Sequence, residues 1–226
     1  MIGINIFAKV HSGVKLLLLM SNSKTLYIIR HGETEYNRKG IIQGSGVDSD
    51  LNETGRKQAE LFFRAYHHLP FDRVYTSELK RTFQSVAPFI EKGVPHLALP
   101  ELNEINWGIF EGRVSSPEYA KIYDRMINDW RNGLLDRAVE GGETPNELQK
   151  RQRIGLEYVL NQTDENLVLV CMHGRAMRSF LSLMLNLELS KMDNFKHSNL
   201  CLYVLKYEAH KGFDLLVENS IEHLWI

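Results

Sequence analysis

The sequence predicts a three-layer α/β/α sandwich around a mostly parallel sheet with an antiparallel edge. Three observations carry this prediction. Thr25-Leu26-Tyr27-Ile28-Ile29 and Leu167-Val168-Leu169-Val170-Cys171-Met172 are near-continuous apolar runs, as strands buried on both faces require. Amphipathic helical stretches separate the strands, and that alternation favours parallel pairing through crossovers. Residues 200–206 and 213–217, with Lys211-Gly212 at the turn, read as a C-terminal antiparallel pair.

Residues 1–24 stand apart from this pattern. Leu16-Leu17-Leu18-Leu19-Met20 is shorter than a signal-peptide core, and no small-residue cleavage site follows it. The segment is expected to be an N-terminal extension with Met20 a candidate start, and the domain is expected over 25–226. The first strand runs into Arg30-His31-Gly32-Glu33-Thr34. Residues 35–51, with Gly40, Gly44 and Gly46, read as irregular. Asn52 caps a helix over 53–68, which Pro70 ends. Arg73-Val74-Tyr75-Thr76 is a short strand, after which Ser77 is expected to cap a helix over 78–91. Gly93 and Pro95 end that helix, and a strand over 96–99 follows. Residues 106–140 break the rhythm with amphipathic stretches near 117–131 and 134–138, so an inserted cap is expected there. Thr144-Pro145-Asn146-Glu147 is a capping box with proline at the first helical position, opening a helix over 145–161. The strand over 167–172 ends in His173-Gly174, and a helix over 175–186 follows.

Composition narrows the function. A chain of 226 residues fits one domain with an insertion. Lys and Arg number 27 against 28 Asp and Glu, a net charge of −1, which excludes a strongly basic nucleic-acid binder. No apolar run approaches the ~20 residues that span a bilayer. The two cysteines, Cys171 and Cys201, cannot staple a secreted scaffold and read as thiols of a reducing, cytoplasmic compartment.

The chemistry gathers at strand ends. In an open α/β sheet, ligands bind beyond the carboxyl ends of the strands. His31-Gly32 and His173-Gly174 each end a buried strand, and a glycine in that place lets backbone approach a ligand. Arg30 precedes His31, and Arg81 lies just after the strand that ends at Thr76. Arginine forks there suit a phosphate, although Arg81 equally reads as a solvated helix residue near Glu78 or Glu91. Glu104, flanked by apolar residues, is either an ordinary loop glutamate or a partly desolvated acid able to donate a proton. Two histidines, two arginines and an acid at strand ends point to phosphoryl transfer.

These residues resemble the histidine phosphatase superfamily, also called phosphoglycerate mutase-like. Arg30-His31-Gly32-Glu33-Thr34 is similar to its signature, with Asn37 and Gln43-Gly44 matching later positions. Leu51-Asn52-Glu53-Thr54-Gly55 resembles the next helix start, and Thr76-Ser77-Glu78-Leu79-Lys80-Arg81-Thr82 the arginine motif. Glu104 with Trp107-Gly108 and Glu111-Gly112 resembles the acid motif, Gly141-Gly142-Glu143-Thr144 the re-entering loop, and His173-Gly174 the second histidine. The resemblance covers roughly residues 25–206.

It implies that His31 becomes phosphohistidine and that Glu104 is the general acid. It further implies that Arg30, Arg81, His173 and Asn37 surround the phosphoryl oxygens, with Gln43, Gly44 and Gly174 beside them. No metal and no cofactor is implied, and Glu33 is expected to be structural. His31, Glu33, His173 and His197 lack the spacing of a metal site, and Cys171 reads as a core thiol rather than a nucleophile. Arg175, where the phosphatases often carry a small residue, either enlarges the cationic pocket or faces solvent. Trp107, Tyr119, Tyr123, Met126 and Trp130 either line an aromatic pocket or form the cap core. Asp136, Glu140, Glu143 and Glu147 read as a solvated cap face.

Three features favour a phosphatase over a phosphoglycerate mutase: Ile42-Gln43-Gly44-Ser45, Ile105-Asn106-Trp107-Gly108, and a cap over 106–150 with six basic against eight acidic residues. A non-catalytic binding member is the weaker alternative. The expected partner is a small phosphomonoester, with alpha-ribazole phosphate, sugar phosphates and 3-phosphoglycerate all open; monomer and dimer are equally open.

Overall fold

The two apolar runs are the centre of the sheet. Strand β1 (Ser23–Arg30) carries Leu26 and Ile28 on one face and Ile29 on the other, all wholly buried, so no polar alternation could appear in the sequence. The computed structural model describes residues 23–225 apart from Ser115. The expectations for residues 1–22, including a start at Met20, lie outside the described residues.

Five further strands complete one sheet: β2 (Arg73–Thr76), β3 (His96–Ala98), β4 (Leu167–Met172), β5 (Leu202–Glu208) and β6 (Gly212–Ser220). Their spatial order is β3-β2-β4-β1-β5-β6. The β3-β2, β2-β4 and β4-β1 pairs are parallel, whereas β1-β5 and β5-β6 are antiparallel. The predicted mostly parallel sheet with an antiparallel edge is therefore present. Register fixes the site: Arg30 pairs with Met172 and Thr76 with Cys171, so His31, His173 and Ser77 leave three adjacent strands at one edge.

Helices cover both faces. Against one lie α2 (Glu53–Tyr66) and α3 (Lys80–Glu91), whose Phe62, Val86 and Phe89 pack on Ile29, Val74, Leu169 and Cys171. Against the other lie α5 (Pro145–Leu160) and α6 (Gly174–Met184), with the cap helix α4 (Pro117–Arg131) extending that core through Met126, Ile127 and Trp130. Each fully buried Phe or Leu contributes roughly 2–3 kcal/mol. Both cysteines are buried and free. Among the described residues, no helix is long and apolar enough to cross a membrane.

Several boundaries differ from the sequence expectation. β1 begins at Ser23, ahead of Thr25, because buried Lys24 donates to the carbonyls of Val159 (2.5 Å) and Gln162 (2.9 Å) at the end of α5. A four-residue helix, α1 (Glu35–Arg38), lies in the stretch read as irregular; it is too short for periodicity and rests on a Thr34–Asn37 capping box. Ser77 does not cap α3, which starts at Lys80 after Leu79; the Ser77 hydroxyl instead faces Thr82 and His173. Residues 134–138 form no helix. Gly133, at φ +87°, ends the cap helix, and Trp130 Nε1 donates to the Arg137 carbonyl at 2.7 Å, tying the following segment back.

Candidate active site

β1 and β4 deliver His31 and His173 side by side, with ring centroids 5.2 Å apart. His31 Nδ1 lies 2.7 Å from the Gly32 carbonyl oxygen, which can only accept, so the proton sits on Nδ1 and Nε2 keeps its lone pair. Burial, then the charges of Arg81 and Arg30, hold His31 well below the usual imidazole range. The ring is thus neutral at neutral pH, with the Nε2 lone pair free.

His173 is held from both sides. Arg81 Nε donates to His173 Nδ1 at 3.2 Å, so the His173 proton lies on Nε2 and goes to Ser77 Oγ at 2.8 Å. Burial, Arg81 and His31 keep His173 uncharged as well. Arg81 is wholly buried and spends its remaining donors on the carbonyls of Val47 (2.6 Å) and Gly44 (3.2 Å). Burial pushes its pKa down to about 10, so it remains cationic at neutral pH. The solvated reading of Arg81 is excluded.

A cavity of about 560 Å³ opens onto Arg30, His31, Asn37, Gln43, Glu104 and Gly174, and its outer wall includes Trp107, Tyr119, Tyr123 and Arg175. Arg81, His173 and Gly44 sit behind that wall. Asn37 Oδ1 is used by Thr34 N (3.2 Å) and Asn199 Nδ2 (3.2 Å), which orients the amide and leaves its Nδ2 donors for a ligand. Gln43 is committed within the protein: Nε2 donates to Thr34 Oγ1 at 2.8 Å, and Oε1 accepts from Ser49 at 2.5 Å. Glu33, as expected, is structural and accepts from Asn52 Nδ2 at 2.7 Å. Met126 and Trp130 belong to the cap core, while the other cap aromatics face the cavity.

The glycines after the two histidines have a reason the sequence did not show. A Cβ on Gly32 would meet the Gly55 carbonyl at 2.7 Å, and one on Gly174 would meet the His197 ring at 2.8 Å. Backbone packing requires Gly32, whereas a side chain at 174 would have to displace the His197 ring.

Glu104 is buried at the start of α6. Its Oε1 accepts from Ile105 N (2.9 Å) and Ala176 N (2.8 Å), and its Oε2 from Arg175 N (3.0 Å), so three backbone donors fix the carboxyl group. Arg151 holds the loop from behind. Its guanidinium reaches the carbonyls of Glu101 (2.8 Å), Asn103 (2.9 Å) and Glu104 (3.0 Å) and pairs with Glu143 (2.7 Å). Glu143 is therefore not on a solvated face; it is mostly covered and completes this clamp. Replacing Arg151 with Met is expected to cost about 2 kcal/mol of stability by stranding Glu143 and the loop carbonyls. It is also expected to lower kcat by about 10–100-fold through displacement of Glu104, with KM little changed. Urea midpoints and steady-state kinetics check both.

Arg175 neither faces solvent nor projects freely into the cavity. Its guanidinium lies over Trp107 (5.9 Å) and Trp130 (5.5 Å), donates to Tyr123 Oη at 3.3 Å and pairs with Asp193, so it ties the cap to α6. Asn199, which donates to the His31 carbonyl at 3.0 Å, Arg151 and Asp193 were not singled out by sequence motifs, and Ser77 was read as a helix cap within the arginine motif rather than as the partner of His173. Among the described residues, no group of three or more His, Cys, Asp or Glu side chains is placed to hold a metal ion.

Comparison with known proteins gives the family. The model of the histidine phosphatase superfamily (branch 1) matches residues 26–220. Phosphoserine phosphatase 1 of Hydrogenobacter thermophilus is 29% identical over 188 residues, 83% of this chain and 88% of that protein. GpmB of Yersinia enterocolitica, named a probable phosphoglycerate mutase, is 31% identical over 166 residues, 72% of this chain and 75% of that protein. A phosphoserine phosphatase mutant from Entamoeba histolytica, solved in complex with phosphoserine, has the same fold. It superposes with a TM-score of 0.77 at 23% identity over 89% of this chain and 99% of that one. On the family match, this chain belongs to the histidine phosphatase superfamily.

Proposed function

We propose that this protein is a phosphomonoesterase that hydrolyses a small phosphorylated metabolite through a phosphohistidine at His31, without a metal ion. One observation carries the reading: a neutral imidazole, its Nδ1 proton anchored on the Gly32 carbonyl, faces a cavity whose wall and backing hold Arg30, Asn37, Arg81 and His173. In the first step the Nε2–phosphorus bond forms and the ester P–O bond breaks. Glu104 gives its proton to the departing alkoxide oxygen, releasing the alcohol. Arg30 and Asn37 at the wall, with Arg81 and His173 behind them, stabilise the charge spread over the phosphoryl oxygens. In the second step a water oxygen bonds to phosphorus, the P–N bond breaks, and Glu104 recovers its proton from the water. Inorganic phosphate leaves and neutral His31 is restored.

The hydrolytic reading is supported over a mutase by the acidic cap composition and the Gln43-Gly44 pair. The test is phosphate release from a panel of phosphomonoesters, with 2- and 3-phosphoglycerate followed for interconversion. Release is expected to dominate and to persist in EDTA. Fast interconversion with little free phosphate would overturn the phosphatase assignment, and loss of activity in EDTA would overturn metal independence.

A further inference from the structure

Helix α2 packs against the loop that follows His31, and its first turns hold Glu33 of that loop through both backbone groups and the side chain. A Cβ on Gly55 would meet the Glu33 carbonyl at 2.1 Å and the Glu33 nitrogen at 2.7 Å, so the helix comes this close only because Gly55 has no side chain. Asn52 donates from its backbone N–H to the Glu33 carbonyl at 2.9 Å and from Nδ2 to Glu33 Oε1 at 2.7 Å. Gln58 lies three residues beyond Gly55, on the same helix face, and its Oε1 accepts the Glu33 N–H at 2.9 Å. A backbone N–H can only donate, which assigns the amide: the oxygen of Gln58 faces the loop.

That N–H belongs to the peptide whose carbonyl receives His31 Nδ1. The Gly32 C=O and the Glu33 N–H share one rigid plane, with oxygen and hydrogen pointing in opposite directions. Gln58 therefore holds one end of the plane, and the His31 ring, 2.7 Å from the oxygen, holds the other. The two hydrogen bonds polarise one another through the amide, which strengthens the carbonyl as an acceptor. The peptide before it is fixed separately. Gly32 N–H donates to Oγ of wholly buried Ser85 at 2.8 Å, and the Ser85 hydroxyl donates to the Arg81 carbonyl at 2.6 Å. Ser85 thus sets where Gly32 sits, and Gln58 sets how the following plane is turned. If that plane rotated, Nδ1 would lose its acceptor. The tautomer with its proton on Nε2, which has no lone pair there, would then compete.

We infer that Gln58 is a positioning residue for the His31 nucleophile: through the Gly32–Glu33 peptide, its Oε1 holds the ring in the tautomer that leaves the Nε2 lone pair free. The inference deepens the phosphohistidine reading and rests on it. Gln58 is half-buried on α2 and does not line the cavity, so its loss is expected to change the ring without touching the substrate.

The test uses the full chain with Gln58→Met and Gln58→Asn, which remove the acceptor or shorten its reach, and with Gln58→Glu, which keeps an oxygen at the same reach. The His31 tautomer is read at neutral pH from long-range ¹H–¹⁵N correlations of protein labelled with ¹⁵N-histidine, its signals assigned by their absence from His31→Ala. The rate of label formation on His31 is read by rapid quench over a range of concentrations of ³²P-labelled nitrophenyl phosphate. The wild type is expected to show the Nδ1–H pattern alone. In Gln58→Met and Gln58→Asn, checked for folding by circular dichroism, that pattern is expected to give way to a mixture of tautomers. Their labelling rate at saturating ester is expected to fall by about 10–100-fold, with the half-saturating concentration little changed. Gln58→Glu is expected to restore the pattern and most of the rate. A purely structural tie would lower the folded fraction and leave the ring of the folded molecules as in the wild type. Folded Met and Asn variants that keep the wild-type pattern, or that lose it and still label at the wild-type rate, overturn the inference while the phosphatase reading stands. A wild type that releases phosphate without labelling His31 overturns the phosphohistidine reading, and the tautomer pattern still decides whether Gln58 holds the ring.

Discussion

Replacing His31 with Ala is expected to lower phosphate release by at least about 10⁴-fold, because the proposed mechanism forms its covalent bond at this ring. Its loss is expected to be complete in a second measurement. Rapid quench of the wild type with a ³²P-labelled ester is expected to trap acid-labile, base-stable label on one histidine, and the His31→Ala protein is expected to trap none. Circular dichroism of the variant is the check that it is folded. A variant that still labels, or that keeps turnover within tenfold, would remove His31 as the nucleophile.

The state of the same ring sets an acid limit. His31 must be unprotonated to attack, and burial with Arg81 and Arg30 beside it moves its protonation well below 6.5. Loss of the nucleophile is therefore expected well below pH 6.5, not across it. Stability falls in the same direction, but from the ordinary imidazole value downward. His31, His173 and His197 all have lowered values, so the unfolded chain binds more protons than the folded one below about pH 6.5. Unfolding free energy is expected to fall as pH drops from about 6.5, and denaturant melts between pH 7 and 5 measure it. A stability flat over that range would show that these imidazoles do not remain neutral.

What the sequence made legible was local. A buried strand followed by His-Gly needs only five or six residues to declare itself, and it did so twice. The antiparallel edge was also readable, since Lys211-Gly212 marks its turn. The missing parts come from residues with no periodicity that the fold carries in. Asn199 precedes Leu200, whose N–H bonds the Arg30 carbonyl at 3.1 Å; only the return of β5 beside β1 brings Asn199 to His31 and Asn37. Asp193 sits in a 3₁₀ turn and gathers arginines from two helices. Glu143 looked like one of several surface acids because its partner, Arg151, stands between the exposed cations Lys150 and Arg153, and only the fold turns it toward the loop. Ser77 occupies a capping position in sequence, yet its hydroxyl supports His173, and the helix begins two residues later than a Ser77 cap would place it.

Glu104 separates chemistry from architecture most sharply. Substituting Gln preserves size but removes the proton, so kcat/KM for alkyl phosphates is expected to fall by about 10²–10⁴-fold. The same change sets an amide N–H₂ against backbone N–H donors of Ile105, Arg175 or Ala176, which costs about 1–3 kcal/mol and shows in the melt. Stability loss alone would scale all substrates equally; loss of an acid does not. Nitrophenyl phosphate, whose leaving group departs without protonation, is expected to retain its first step, whereas alkyl esters lose theirs. The second step still needs Glu104 to take a proton from water, so Glu104→Gln is expected to release about one equivalent of nitrophenol in a burst and then turn over slowly. The dephosphorylation rate, read from decay of the label on His31, is expected to match that slow phase. Equal losses for nitrophenyl and alkyl esters, with no burst, would reduce Glu104 to a brace that joins its loop to the start of α6, and the proton would have to come from elsewhere in the cavity.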